Sequence, residues 1–176
     1  VPTSYKIHIA IALFLAGLSG LVVALTLLPG SPIVPTAVAF TLFGLVFPVF
    51  GSALLRCYRA GVPTKGPQAF TYMWQTPRWL RVTAGAFIAG VLLCLAGGGV
   101  EPNGQPEHDA SGYYLDDHGV RHAVSRSTYD SGLKADLRGF DSGATLFFAV
   151  SAVLAAAAYR GEEETLAQWR QSQPHQ

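Results

Sequence analysis

Residues 7–28 read IHIAIALFLAGLSGLVVALTLL, an unbroken apolar run without a charged side chain. A helix that crosses a bilayer needs about 20 mostly apolar residues. This run meets that requirement, and Pro29-Gly30-Ser31-Pro32 stops it. Lys6 in front of it resembles the basic start of a secretory leader. A leader core, however, is only about 7–15 residues long, and no small-x-small cleavage pattern follows. The run reads as an uncleaved first span.

Three further stretches follow the same logic. Residues 33–55 form a second span ending at Arg56, and residues 82–100 form a third, from Arg81 to the Gly97-Gly98-Gly99 run. Residues 143–159 form a fourth, extendable to Phe140 or Arg160 and rich in alanine. Half of the residues are hydrophobic and 13% are charged, against about 25% in an average soluble domain. The expected fold is therefore an all-α membrane protein: a four-helix transmembrane bundle with a small extracellular β-hairpin plus helix between spans three and four. Residues 1–100 hold three spans and a basic loop at 56–81. Residues 101–142 form the outer loop, and residues 143–176 the fourth span and a tail.

Orientation follows from Lys and Arg in the short connectors. The connector between spans one and two carries no charge. Loop 56–81 carries Arg56, Arg59, Lys65, Arg78 and Arg81 and no acid, whereas residues 101–142 carry eight acids and four bases. The basic loop is expected in the cytoplasm, which puts both termini inside a plasma (inner) membrane and residues 101–142 outside. In that loop Arg56, Arg59, Trp74, Arg78, Trp79 and Arg81 are expected at the headgroup layer, where Trp, Tyr and basic residues concentrate. Residues 69–75 read as a short interfacial helix.

Small residues four apart let helix backbones approach closely. Ala12, Ala16 and Gly20 do this in span one, and Ala86 and Gly90 in span three. Span four offers Thr145/Ala149, Ser151/Ala155 and Ala152/Ala156. Packing within the bundle is the economical reading of these faces; docking of a second membrane protein is the sharper one. Pro48 inside span two removes one helical hydrogen bond.

The outer loop is the soluble-looking part. Residues 101–111, rich in Pro, Gly and acids, read as a flexible lead-in. Residues 113–124 read as a hairpin, with β-prone runs at Tyr113-Tyr114-Leu115 and at 120–124 around the turn Asp116-Asp117-His118-Gly119. Ser127 and Asp130 resemble a capping box, opening a helix over 127–138 with Tyr129, Leu133 and Leu137 on one face and Gly139 at its end. An isolated hairpin is marginal in water, so this one needs that helix or the top of the bundle to cover it. Tyr113, Tyr114, Tyr129, Leu133 and Leu137 are the expected interaction residues.

Chemistry is sparse. Glu107, His108 and Asp109 stand near Asp116, Asp117, His118 and His122, and the last four are weak metal candidates. Zinc ligands sit at tighter, more regular spacings, so a solvated acidic turn is the preferred reading. No cofactor is expected. Cys57 and Cys94 fall near opposite membrane faces and form no Cys-x-x-Cys pair, against thiol redox chemistry. His8 is the only histidine in a span, against paired axial haem ligation. The four span cores lack Asp, Glu, Lys and Arg, against ion-coupled transport. A Ser/Thr-lined pore is conceivable, although such hydroxyls usually bond back to their own helix. Ser125, Ser127 and Ser131 with His122 and Asp130 lack any positioning motif for a hydrolase. Net charge is +1 and no basic run exists, so nucleic acid is not an expected partner.

The expected function is contact without catalysis, as an accessory subunit or a protective, immunity-type protein. The expected partners are the lipid bilayer and another membrane protein or a second copy. A small channel or transporter is the alternative, and a membrane-embedded enzyme using the His/Asp-rich outer turn a further one.

Overall fold

A computed structural model describes residues 2–98 and 102–172. Its elements, in chain order, are α1 (Thr3–Leu25), α2 (Thr36–Arg59), α3 (Gly66–Trp74), α4 (Arg78–Gly97), β1 (Gln105–Asp109), β2 (Gly112–Asp117), β3 (Val120–Ala123) and α5 (Arg126–Ser172). Four helices, α1, α2, α4 and α5, are long and apolar enough to cross a membrane. The last residues expected in span three, Gly99 and Val100, lie outside the described residues, as does Glu101.

Local chemistry sets the helix ends. Pro2, Pro35 and Pro77 stand at the N-caps of α1, α2 and α4. A proline there sacrifices no helical hydrogen bond. At the end of α2, Gly61 takes φ +66°. Its amide donates to the Tyr58 carbonyl, and the Val62 amide donates to the Cys57 carbonyl. This is a Schellman closure, which requires a residue in the left-handed region. It folds Val62 back into the core beside Cys57 and Leu154. Pro67 stands in the first turn of α3, which starts three residues before the interfacial helix expected at 69–75 and ends one residue short of it.

The bundle is built around α5. It runs antiparallel to α1, with Tyr5 near Tyr159 at one end and Lys134 reaching Leu28 at the other. It runs parallel to α2, with Phe50 against Phe147 and the Cys57 thiol donating to the Leu154 carbonyl. Ala149, Ala152, Ala155, Ala157 and Ala158 are fully buried. A run of alanines is weakly hydrophobic, and its small side chains let three neighbours close on one helix. Ala12 and Ala16 of α1 are fully buried against it, so this small-residue face serves packing within the chain. Gly20 belongs with them, lying near Phe87 and Thr145. Ala86 and Gly90 of α4 instead face outward.

Three expectations need correction. The helix expected over 127–138 does not end at Gly139. It continues into the fourth span as the single helix α5, at 1.5 Å per residue roughly 70 Å long. Gly139 points into open space, and packing on both sides outweighs the roughly 1 kcal/mol that glycine costs a helix. The lead-in at 101–111 contains β1, so the outer element is a three-stranded antiparallel sheet in the order β1-β2-β3. The cap of α5 is Ser125, whose Oγ accepts from the Thr128 amide at 3.2 Å; Ser127 lies already within the helix.

Candidate functional site at the sheet end of the bundle

The sheet turns on two tight reversals. Asp117 pairs with Val120, and between them His118 and Gly119 take φ +55° and +87°. Two successive left-handed residues make a type I′ turn, which matches strand twist. Asp116 Oδ1 accepts from the Gly119 amide at 2.7 Å and Asp117 Oδ1 meets His118 Nδ1 at 2.6 Å. Each acid is thus used inside the turn. His122 lies across from Leu115 on β3. Among the described residues no three His, Cys, Asp or Glu side chains are placed to share a metal ion.

Strand alternation gives the sheet two different faces. Glu107, Asp109, Tyr114 and Arg121 share the outward one. Arg121 forms ion pairs with Glu107 at 2.6 Å and Asp109 at 3.4 Å. Asp109 also accepts from the Ser111 hydroxyl at 2.5 Å and the Ser111 amide at 2.8 Å. The Ser111 bonds, with Arg121 adding to them, hold the Asp109 carboxyl below the usual carboxylate range. Tyr114 donates to Ser111 Oγ at 2.9 Å.

The inward face carries Pro106, His108, Tyr113 and Leu115. Tyr113 packs against His108 and against Tyr129 of α5 with ring centroids 4.9 Å apart in each pair, and His108 and Tyr129 are themselves 6.2 Å apart, so the three tilted rings form one cluster. Beside this cluster Pro106 and Leu115 close over Gly132. Of the five interaction residues expected from the sequence, Tyr113 and Tyr129 come together. Tyr114 lies on the opposite face of the sheet. Leu137 is 2% exposed and packs towards the α1–α2 connector, near Pro32 and Val34. Leu133 is half-buried.

Beneath the sheet lies a feature that sequence reasoning missed. Lys134, Arg138 and Asp141 are all buried, on one face of α5 at spacings of four and three. Lys134 Nζ donates to the Leu28 carbonyl at 2.5 Å. The Arg138 guanidinium occupies the space above Gly98, where any Cβ would stand 2.5 Å from its Nε. These two cations and Ser131 line a cavity of about 220 Å³ at the ends of α1 and α4. Asp141 is fully buried, and neither carboxylate oxygen has a hydrogen-bond partner among the described residues. The 134–138–141 spacing was visible in the sequence, but it signals a shared face only if the helix passes Gly139 unbroken.

At the other end the expected membrane-interface residues gather together. Arg56 stacks on Tyr5 at 4.5 Å and Arg81 on Trp74 at 4.8 Å. Arg59 ends α2, while Arg78 and Trp79 open α4. Trp74 and Trp79 are 76% and 57% exposed.

In comparisons with known proteins, the chain matches no family model, no curated protein and no solved structure.

Proposed function

We propose that this chain is an integral membrane protein crossing the bilayer four times, with the termini and the basic α2–α4 connector in the cytoplasm and the sheet outside. We further propose that it works without catalysis, by contact with another membrane protein, as an accessory subunit or a protective protein of the immunity type. One observation carries this reading. The axis of the bundle is filled by α5 itself, while a folded sheet with a charged outward face is seated on the first turns of that helix through Gly132. Such an arrangement presents a surface and provides no path.

The test is a photo-crosslinking amino acid placed at exposed Val120, in native membranes. A discrete adduct with one other membrane protein, lost on Arg121→Glu, is expected. Adducts only with the chain itself would contradict it.

The transporter reading gains one supporting observation, the buried and unpartnered Asp141, since ionisable groups at depth mark ion pathways. Against it, the α5 face below Asp141 is closed by fully buried Thr145, Phe148 and Ala149. Proton- or ion-dependent flux in liposomes, abolished by Asp141→Asn, would favour this reading over the first.

A further inference from the structure

Between α1, α4 and α5, at the end of the bundle that carries the termini, lies a cleft of about 640 Å³. Its walls are apolar, with Ile9 and Leu13 of α1, Leu80 of α4 and Ala156 of α5. It exists because Ala10 and Ala156 contribute only methyl groups where larger side chains would meet. From Lys6 to Leu13 it is about 10 Å deep along α1. Its mouth is of different chemistry. Lys6 and Arg160 stand there, both exposed. The Arg160 guanidinium donates to the Gln75 carbonyl at the end of α3, which holds it at the rim. Glu163 is also at the rim, and its carboxylate accepts from Tyr159. The mouth thus carries two cations against one acid. Trp79, at the headgroup end of α4, completes it.

We propose that this cleft is a binding site for one anionic phospholipid, its acyl chain between α1 and α4 and its phosphate at Lys6 and Arg160. An apolar slot alone would take any acyl chain, but paired cations at its mouth select the headgroup. Basic pockets between membrane helices recognise anionic lipids on these grounds. The inference rests on the four-span membrane reading and is independent of which protein, if any, the sheet contacts.

The test is native mass spectrometry of the full chain, delipidated in neutral detergent and offered phosphatidylglycerol and phosphatidylcholine of equal chain length. The wild type should retain phosphatidylglycerol roughly five- to thirtyfold better, since about 1 kcal/mol per cation near a lipid headgroup gives about fivefold for the one net charge and about thirtyfold for both cations. The double variant Lys6→Gln, Arg160→Gln changes two exposed side chains and should erase that preference. Ala10→Phe fills the slot and should lower retention of both lipids. Glycerol phosphate, which has the charge without the chains, should not displace the lipid. Equal retention of both lipids by the wild type would overturn the proposal, as would a preference surviving the double variant or displacement by glycerol phosphate. Disulfide-linked dimers of Ala10→Cys in membranes would overturn it too, since they would put a second copy in the cleft. A chain that failed to insert in membranes at all would instead strike the four-span reading on which this one stands.

Discussion

Leu115 of β2 rests directly on Gly132 of α5: a Cβ built on that glycine would stand 3.4 Å from Leu115 Cδ2 and 3.4 Å from Pro106 Cβ. Leu115 and Pro106 are partners across β1 and β2, so one glycine seats both strands. Gly132→Ala should be tolerated, because 3.4 Å is ordinary contact and alanine favours the helix by about 1 kcal/mol. Gly132→Leu should lift the sheet from α5 at a cost of about 1–3 kcal/mol. Amide hydrogen exchange over residues 105–123 reports it: faster exchange is expected in the leucine variant alone, with the bundle unaffected.

A contrast between two other glycines tests the packing of the bundle. A Cβ on Gly161 would lie 2.4 Å from Val62 Cγ2 and 3.1 Å from the Ala60 carbonyl oxygen. Gly161→Leu should therefore cost about 1–3 kcal/mol. Gly90 has nothing within 4 Å, so Gly90→Leu should cost nothing and, by helix preference, stabilise α4 by up to about 1 kcal/mol. Thermal unfolding in detergent separates the two, and equal losses would mean that α4 is packed on its outward face.

The acid sensitivity of the sheet should trace to Asp109. Its folded-state pKa lies below the ordinary value of 3.8, chiefly through the Ser111 hydroxyl. A depressed carboxylate contributes stability that is complete above the unfolded value and is lost as pH falls through the folded one. The β1–β2 turn should thus hold above about pH 4 and loosen progressively below it. Amide exchange at Ser111, followed against pH, checks this; Asp109→Asn should flatten the profile.

Asp141 gives the fourth prediction. A buried carboxylate without a partner is a cost to folding, and its removal leaves no unpaired cation that it had satisfied. Asp141→Asn should raise the thermal stability of the detergent-solubilised protein, by on the order of 1–3 kcal/mol. A lower unfolding temperature would mean that the carboxylate is paired in the folded chain.

The four long apolar helices were legible because length and apolarity are properties of the sequence itself, and residues 7–28 show both without any other information. The hairpin was legible for a similarly local reason: only a few residue types enter the left-handed region that His118 and Gly119 occupy. What was hidden depended on tertiary contact. Pro106 argued against a strand, yet β1 lies at the sheet's edge, where a missing amide is tolerated. Gly139 argued for a helix end, yet α5 is packed on both sides of it, by the sheet and the end of α1 before it and by α1 and α2 after it. That continuity buried Lys134, Arg138 and Asp141, which a soluble outer loop would have left in water. Residues 143–159 carry no charge, as read; the charged residues just before them, assigned to the outer loop, are the ones that the continuous α5 buries.

The central claim is that the sheet and the chain termini lie on opposite sides of one membrane. Epitope tags at the His118-Gly119 turn and after residue 172, probed with protease on intact and then permeabilised cells, test it directly. The turn tag should be cleaved in intact cells and the C-terminal tag only after permeabilisation. Cleavage of both tags in intact cells, or of neither until permeabilisation, would contradict the claim.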